Sequence, residues 1–143
     1  MLITGGAGFV GSFLSEELLN RGYSVCVVDN LSTGKLQNIA HLKPNPDFEL
    51  ITGTIMNKEL MEDLVARSET VFHLAAAVGV RLIIERPVET IETNILGTEI
   101  IYKLVNKYKK KVMITSTSEI YGKNNEIPFK ETADSVYGPT IKS

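Results

Sequence analysis

Along this chain, short apolar runs alternate with stretches of helical periodicity. Residues 1–4 read as a strand that opens directly into glycines. From Val10 onward, Val10, Phe13, Leu14 and Leu18 fall at helical spacing, and Gly22 is placed to end that helix. Residues 24–28 form a second strand, continuous in apolar character as a strand buried on both faces is. Phe48–Thr52 reads as a third strand, and Lys58–Ala66 as a short helix with Leu60, Leu64 and Val65 on its apolar side. Residues 70–74 make a fourth strand. A long helix is expected over residues 87–107, with Pro87 in its first turn, where a missing N–H costs nothing. Val88, Ile91, Ile95, Tyr102 and Val105 define its expected apolar side. A fifth strand follows at 112–115, and residues 121–143, with Pro128, Pro139 and scattered polar residues, read as loop. This alternation predicts an α/β fold with a doubly wound parallel sheet, whose ligands sit beyond the carboxyl ends of the strands.

Composition narrows the class of partner. The 143 residues fit one domain large enough to bury a core, with 43% apolar and 22% charged residues and a formal net charge of −2. Neither a basic field nor a basic face is present, which argues against nucleic acid and against an anionic membrane. The one dense basic run, Lys107 and Lys109 to Lys111 beside Tyr108, suits a helix end, where lysines offset the negative end of the dipole. One cysteine excludes an internal disulfide, and with two histidines it is too small a ligand set for a metal cluster. Cys26, within an apolar strand, reads as a small buried hydrophobe. No apolar stretch approaches the ~20 residues that span a bilayer, and no basic segment precedes an apolar one at the N-terminus. A cytoplasmic protein is expected.

The strongest chemical signal is Thr4-Gly5-Gly6-Ala7-Gly8-Phe9-Val10-Gly11. It follows a strand and opens a helix. Gly5 serves a tight turn, Gly8 lets backbone approach a pyrophosphate, and Gly11 lets helix and strand pack closely. The helix N-terminus then offers unpaired N–H groups and a positive dipole end to the anion. Asp29 ends the next strand, where a carboxylate reaches ribose hydroxyls and repels a 2′-phosphate. NAD is therefore expected rather than NADP.

The glycine spacing is Gly-x-x-Gly-x-x-Gly, and further motifs follow in order: Asp29-Asn30-Leu31-Ser32-Thr33-Gly34, His73-Leu74-Ala75-Ala76, Asn94 in Thr93-Asn94-Ile95-Leu96-Gly97-Thr98, and Ser116-Thr117-Ser118-Glu119-Ile120-Tyr121-Gly122. With these the chain resembles the extended short-chain dehydrogenase/reductase family, in particular its nucleotide-sugar epimerases, dehydratases and decarboxylases. The resemblance extends over essentially the whole chain and implies a Rossmann-type domain over residues 1–143. The stretch from Ala77 to Arg81, with Glu85-Arg86-Pro87, is most similar to UDP-glucuronate decarboxylase-like and UDP-hexose epimerase-like members. Arg81 stands there either toward substrate or as a surface arginine.

The expected cofactor contacts are Gly5, Gly8, Phe9, Val10, Gly11, Asp29, Asn30, Ser32, Thr33, Gly34, Thr54, Ile55, Leu74, Ala75, Ala76, Asn94 and Ser116. Asn30 and Ser32 give Asp29 a polar rim. The small residues after Leu74 suit close approach of a cofactor and equally suit core packing. Asn94 is an amide among apolar residues and needs partners. The resemblance implies that it bonds main-chain groups near the active site, and a locally satisfied core role is the alternative. His73, within a strand, reads as structural. By resemblance Thr117 meets the sugar hydroxyl that is oxidised and Glu119 is an acid/base group. Ser118 stands where dehydratases carry an acidic residue, a departure from the dTDP-hexose dehydratase pattern.

The resemblance also implies a Tyr-x-x-x-Lys pair, in which the lysine lowers the tyrosine pKa so that the phenolate takes the sugar hydroxyl proton. None of the tyrosines at 23, 102, 108, 121 and 137 has a lysine four residues on. The first strand is short and the last loop leads into no further element. A partial domain is therefore expected, lacking its C-terminal strands and substrate domain and short by a few residues at the N-terminus. It is expected to bind NAD but not to turn over alone. A UDP-sugar is the expected substrate of the complete enzyme, and a homodimer its expected state. A non-catalytic NAD-binding sensor or interaction module is the other reading.

Overall fold

Residues alternate in facing along each strand, so a strand covered on both sides must be apolar throughout. Leu2–Thr4 (β1) and Val25–Asp29 (β2) obey this up to their last residues, Thr4 and Asp29, and almost every residue in them is buried. With Phe48–Thr52 (β3), Thr70–His73 (β4) and Lys111–Ile114 (β5) they form one parallel sheet of five strands, ordered β3-β2-β1-β4-β5. The structure, a computed structural model, describes residues 1–138, the side chains of residues 80–82 excepted. The expected doubly wound α/β architecture is the one observed, with strand limits within a residue or so of those read from the pattern.

The two faces of the sheet carry separate apolar clusters. Ile3, Val25 and Val27 join Ala7, Leu18 and Leu19, beneath the helix Phe9–Asn20 (α1), together with Ile39 and Leu42. Leu2, Val28 and Val71 join Met61, Leu64 and Val65 of Lys58–Ala66 (α2), and Ile101 and Val105 of the last long helix. Each fully buried aliphatic contributes about 1.5–3 kcal/mol relative to exposure, so these clusters dominate the fold. Asn57 starts α2 because its side chain accepts the Leu60 N–H.

Several expectations need correction. In α1, Val10 and Phe13 are exposed, 59% and 62%, and the side facing the sheet is Gly11, Ser12, Ser15, Leu18 and Leu19. The first turns lie so close to the glycine turn that only small residues fit there, which displaces the apolar side chains outward. Residues 87–107 are helical but not one regular helix. Pro87–Ile91 (α4) runs into a π-helical turn at Glu92–Leu96, then into Gly97–Lys107 (α5). That wider turn shifts the phase, so Val88, Ile91, Ile95 and Tyr102 are exposed while Thr90, Gly97, Ile101 and Val105 are buried. A preceding helix, Val80–Glu85 (α3), was not anticipated. Nor were the 3-10 turns Leu36–Asn38, Ala40–Leu42 and Ser118–Tyr121, the last leading into the stretch that read as loop. Cys26 is only half-buried. Burial and the neighbouring Glu49 push its thiol up to about 12, despite the nearby Arg67 guanidinium.

Candidate functional site

The registers Thr4↔Val28, Thr4↔His73 and His73↔Ile114 align the carboxyl ends of four strands. The sheet turns outward from β1 in both directions, the crevice where such folds receive ligands. Gly5, with φ +73°, starts the turn there and donates its N–H to the Val28 carbonyl at 2.9 Å. A side chain at Gly5 meets Ala75 backbone at 2.8 Å, so the turn lies directly on the segment after β4. At Gly11 an added Cβ falls 2.5 Å from the Gly5 carbonyl oxygen, which makes it the helix-to-turn contact. Gly8 differs. Its backbone is extended (φ −75°, ψ 177°) and a Cβ there meets only Gly5 O, at 3.2 Å. Its conformation does not demand glycine, and a Cβ there would press on the Gly5 carbonyl less severely than one at Gly5 or Gly11 presses on its neighbours. It is the N-cap of α1 and supplies no side-chain cap, so the N–H groups of the first turn keep their positive end open. Gly6 was not singled out, although its Cβ would fall 2.5 Å from Val27. An adjacent Gly-Gly pair was the available signal.

Asp29 is buried at the end of β2, and both carboxylate oxygens accept backbone bonds: Oδ2 from Ala7 N–H at 2.9 Å, Oδ1 from Leu31 N–H at 2.8 Å. It thus ties the glycine turn to the loop after β2, and each oxygen retains a lone pair for another donor. Asn30 Oδ1 accepts from the N–H and the hydroxyl of Ser32 at 3.1 and 2.7 Å, which shapes the exposed rim beside Thr33. Gly34 packs against Asp29 Oδ2 and Ala7.

At the end of β4 a bonded chain crosses the molecule. Ala75 N–H donates to Thr4 Oγ1 at 3.1 Å, and the Thr4 hydroxyl shares a 2.8 Å hydrogen bond with His73 Nδ1. His73 Nε2 in turn shares a 3.1 Å hydrogen bond with the Thr98 hydroxyl. Burial lowers the His73 pKa below its usual 6.5, which favours the neutral ring. Asn94, in the middle of the π turn, clamps Ala77: Oδ1 accepts its N–H at 2.7 Å and Nδ2 donates to its carbonyl at 3.0 Å. Both ends of the amide are thus partnered by main chain, and Thr98 lies one turn farther along the helix. Thr4, Ala77 and Thr98 were not read from the pattern, because hydroxyls and alanines carry no signal until their partners are known.

Other expected residues sit as follows. Leu74 donates its N–H to the Thr4 carbonyl at 3.1 Å, beside the half-buried Ala75 and exposed Ala76. Phe9 and Val10 are exposed at the start of α1, Phe9 edge-to-face with Phe13 at 5.3 Å. Thr54 Oγ1 accepts the Met56 N–H, while Ile55 is 5% exposed and packs in the core, leaving only its backbone for a ligand. Ser116, Thr117 and Glu119 are exposed just beyond β5. Thr117 Oγ1 accepts the Glu119 N–H at 3.3 Å and caps the 3-10 turn. The Arg81 side chain lies outside the described residues. Two concavities of about 500 and 380 Å3 flank α5, one including Asn94, Thr98 and Tyr102, the other Met56, Glu62 and Lys103; the glycine turn lines neither.

This geometry has close relatives. The model of a family described as GDP-mannose 4,6 dehydratase matches residues 2–140. The UDP-N-acetyl-alpha-D-glucosaminuronate decarboxylase of Bacillus cytotoxicus is 48% identical over 141 residues, covering 99% of this chain and 43% of the relative. A crystal structure of UDP-glucose 4-epimerase with UDP-glucose from Thermotoga maritima superposes with a TM-score of 0.77 at 38% identity, covering 88% of this chain and 40% of that one. The UDP-glucose 4-epimerase of Bifidobacterium longum, in complex with NAD+ and UDP, gives 0.82 at 30% identity, covering 94% and 42%. The chain thus spans about two-fifths of the length of these proteins. With the glycine turn, the Asp29 tie and the Asn94 clamp in place, and a family match running almost end to end, the chain belongs to the GDP-mannose 4,6 dehydratase family of nucleotide-sugar enzymes.

Proposed function

We propose that this chain is the NAD-binding portion of an enzyme that modifies a nucleotide-linked sugar, a UDP-sugar being the favoured substrate class. One observation carries the reading: Gly8, the N-cap of α1, has no side chain, so the space at the N-terminal end of the helix holds no side-chain cap. A pyrophosphate is the group that needs that space. Gly5, Phe9, Val10 and Gly11 would hold the pyrophosphate side. Asp29, Asn30, Ser32, Thr33 and Gly34 would hold the adenosine, with Thr54 and Ile55 along its edge. Leu74, Ala75, Ala76, Asn94 and Ser116 would border the nicotinamide. NAD, when bound, supplies a hydride acceptor for the sugar carbon.

The chain's own contribution to the chemistry lies beyond β5. Thr117 uses its oxygen to accept the Glu119 N–H, which leaves its hydrogen for a sugar hydroxyl, and Glu119 stands exposed beside it as the acid/base group. The UDP-sugar assignment draws support from the names of the relatives, a UDP-sugar decarboxylase and UDP-glucose 4-epimerases. The exposed side formed by Val88, Ile91 and Ile95 supports a homodimer of the complete enzyme. Among the described residues no helix is long and apolar enough to cross a membrane, and a cytoplasmic setting belongs to the same proposal. No tyrosine here has a lysine four residues on, so these 143 residues bind cofactor without turning over substrate.

Calorimetric titration of the 143-residue chain with NAD and NADP tests the reading, followed by incubation with NAD and UDP-glucuronate or UDP-glucose. Saturable NAD binding is expected, with NADP weaker by about tenfold or more because its 2′-phosphate faces Asp29. No new sugar nucleotide should form. Equal affinity for the two dinucleotides, or none for either, overturns the proposal, and sustained turnover overturns its second half.

A further inference from the structure

Ala7 is the best-anchored residue of the glycine turn, and its partners come from the loop after β2. It is fully buried, its N–H donates to Asp29 Oδ2 at 2.9 Å, and its carbonyl accepts two bonds. One comes from the Lys35 N–H at 3.0 Å, which any residue at that position supplies. The other comes from the Asn38 side-chain amide, Nδ2, at 2.8 Å, which few residues can supply. Asn38 ends the 3-10 turn Leu36–Asn38, and the next residue, Ile39, is fully buried in the same apolar cluster as Ala7 and Val27. The amide is therefore delivered from an anchored backbone. Between them Gly34 leaves no slack, since a Cβ there would stand 2.9 Å from Asp29 Oδ2 and 3.0 Å from Ala7 Cβ.

The consequence runs through one rigid unit. The Ala7 carbonyl and the Gly8 N–H belong to the same planar peptide. Asn38 and Lys35 hold its oxygen, while Gly5 O holds its N–H at 3.1 Å. Fixing that plane fixes Gly8, the N-cap from which α1 departs, and so the aim of the first-turn N–H groups. We infer that Asn38 is a positioning residue: it touches no ligand but pre-orients the anion-binding end of α1 from 31 residues away in sequence. The inference rests on the NAD-binding reading for the identity of the anion. It couples the adenosine-side loop to the pyrophosphate turn, so that both are set before a ligand arrives.

Hydrogen exchange on the ligand-free chain tests this without any ligand. Asn38→Asp keeps the shape, loses the donor and sets a carboxylate against the Ala7 carbonyl; Asn38→Ala simply removes the bond. In both variants the amides of Ala7 and Gly8 should exchange about tenfold faster, while those of Val27 and Val71 in the sheet keep their wild-type rates. Unchanged exchange at Ala7 and Gly8, or equal acceleration across the sheet, contradicts the inference. Titration supplies the second arm: ADP-ribose should bind both variants about tenfold more weakly, and adenosine, which has no pyrophosphate, as tightly as before. A wild-type chain that ignores ADP-ribose sinks the NAD reading but leaves the exchange result to judge Asn38. A wild-type chain that binds it no better than the variants sinks the role of Asn38 alone.

Discussion

At the scale of residues, the glycines of the turn differ in how strictly the fold requires them. Gly11 is required by the fold, because a methyl group there collides with Gly5 backbone at 2.5 Å. Gly8 is less constrained, since a Cβ there meets only the Gly5 carbonyl oxygen, at 3.2 Å. Gly8→Ala should therefore cost about 1 kcal/mol in stability, less than Gly11→Ala, yet weaken NAD binding strongly, whereas Gly11→Ala should lose both. Denaturant midpoints and NAD titrations on the pair decide the point, and a Gly8→Ala protein that binds NAD normally would show the space to be unused. The spaced glycines and Asp29 were legible in the sequence because each obeys a constraint that one residue type meets. Asn38 was not legible, since its acceptor lies in another loop and an asparagine before an isoleucine carries no signal of that contact. The backbone bonds of Asp29 were hidden for the same reason. A strand-end acid signals a ribose, not the Ala7 and Leu31 N–H groups that Asp29 holds.

Elements are joined by the Thr4–His73–Thr98 chain, which links β1, β4 and α5 through the buried His73 ring. The folded-state pKa of His73 lies below its ordinary 6.5, so the unfolded chain takes up a proton that the folded one refuses. Stability contributed this way is complete above about pH 6.5 and is lost as pH falls from there toward the folded value, by at most about 1.4 kcal/mol per pH unit. Urea midpoints should fall between pH 7.5 and pH 5.5, and His73→Asn should flatten that slope. A wild-type curve that is flat over this window would show that the ring protonates within the fold. Strands and α2 were legible as elements because their apolar runs are short and bounded. The phase of the long helix was not. A π turn has no compositional mark, and a stripe drawn at regular helical spacing across it puts Val88, Ile91 and Ile95 on the wrong side.

At the scale of the whole molecule, the doubly wound sheet was legible from the order of elements alone, and what it leaves open is informative. β5 is paired on one side, and Met113 and Ile114 within it are 41% and 39% exposed. Val88, Ile91 and Ile95, on α4 and the π turn, are exposed as well, and an open strand edge and exposed aliphatic side chains both favour association. Sedimentation velocity on the 143-residue chain should reveal concentration-dependent self-association, reduced by Ile91→Lys with Ile95→Lys. A monomer at all concentrations would mean that this surface is tolerated in water.

The central claim is that NAD lies across the carboxyl ends of β1, β2 and β4, over the N-terminus of α1. Amide chemical-shift changes on adding NAD to the isotopically labelled chain test that most directly. The account predicts saturable changes concentrated at Gly5 to Gly11, Asp29 to Gly34 and Leu74 to Ala77, with the concavities flanking α5 unaffected. Changes centred on Thr98, Tyr102 and Lys103 instead, or none at millimolar NAD, would contradict it.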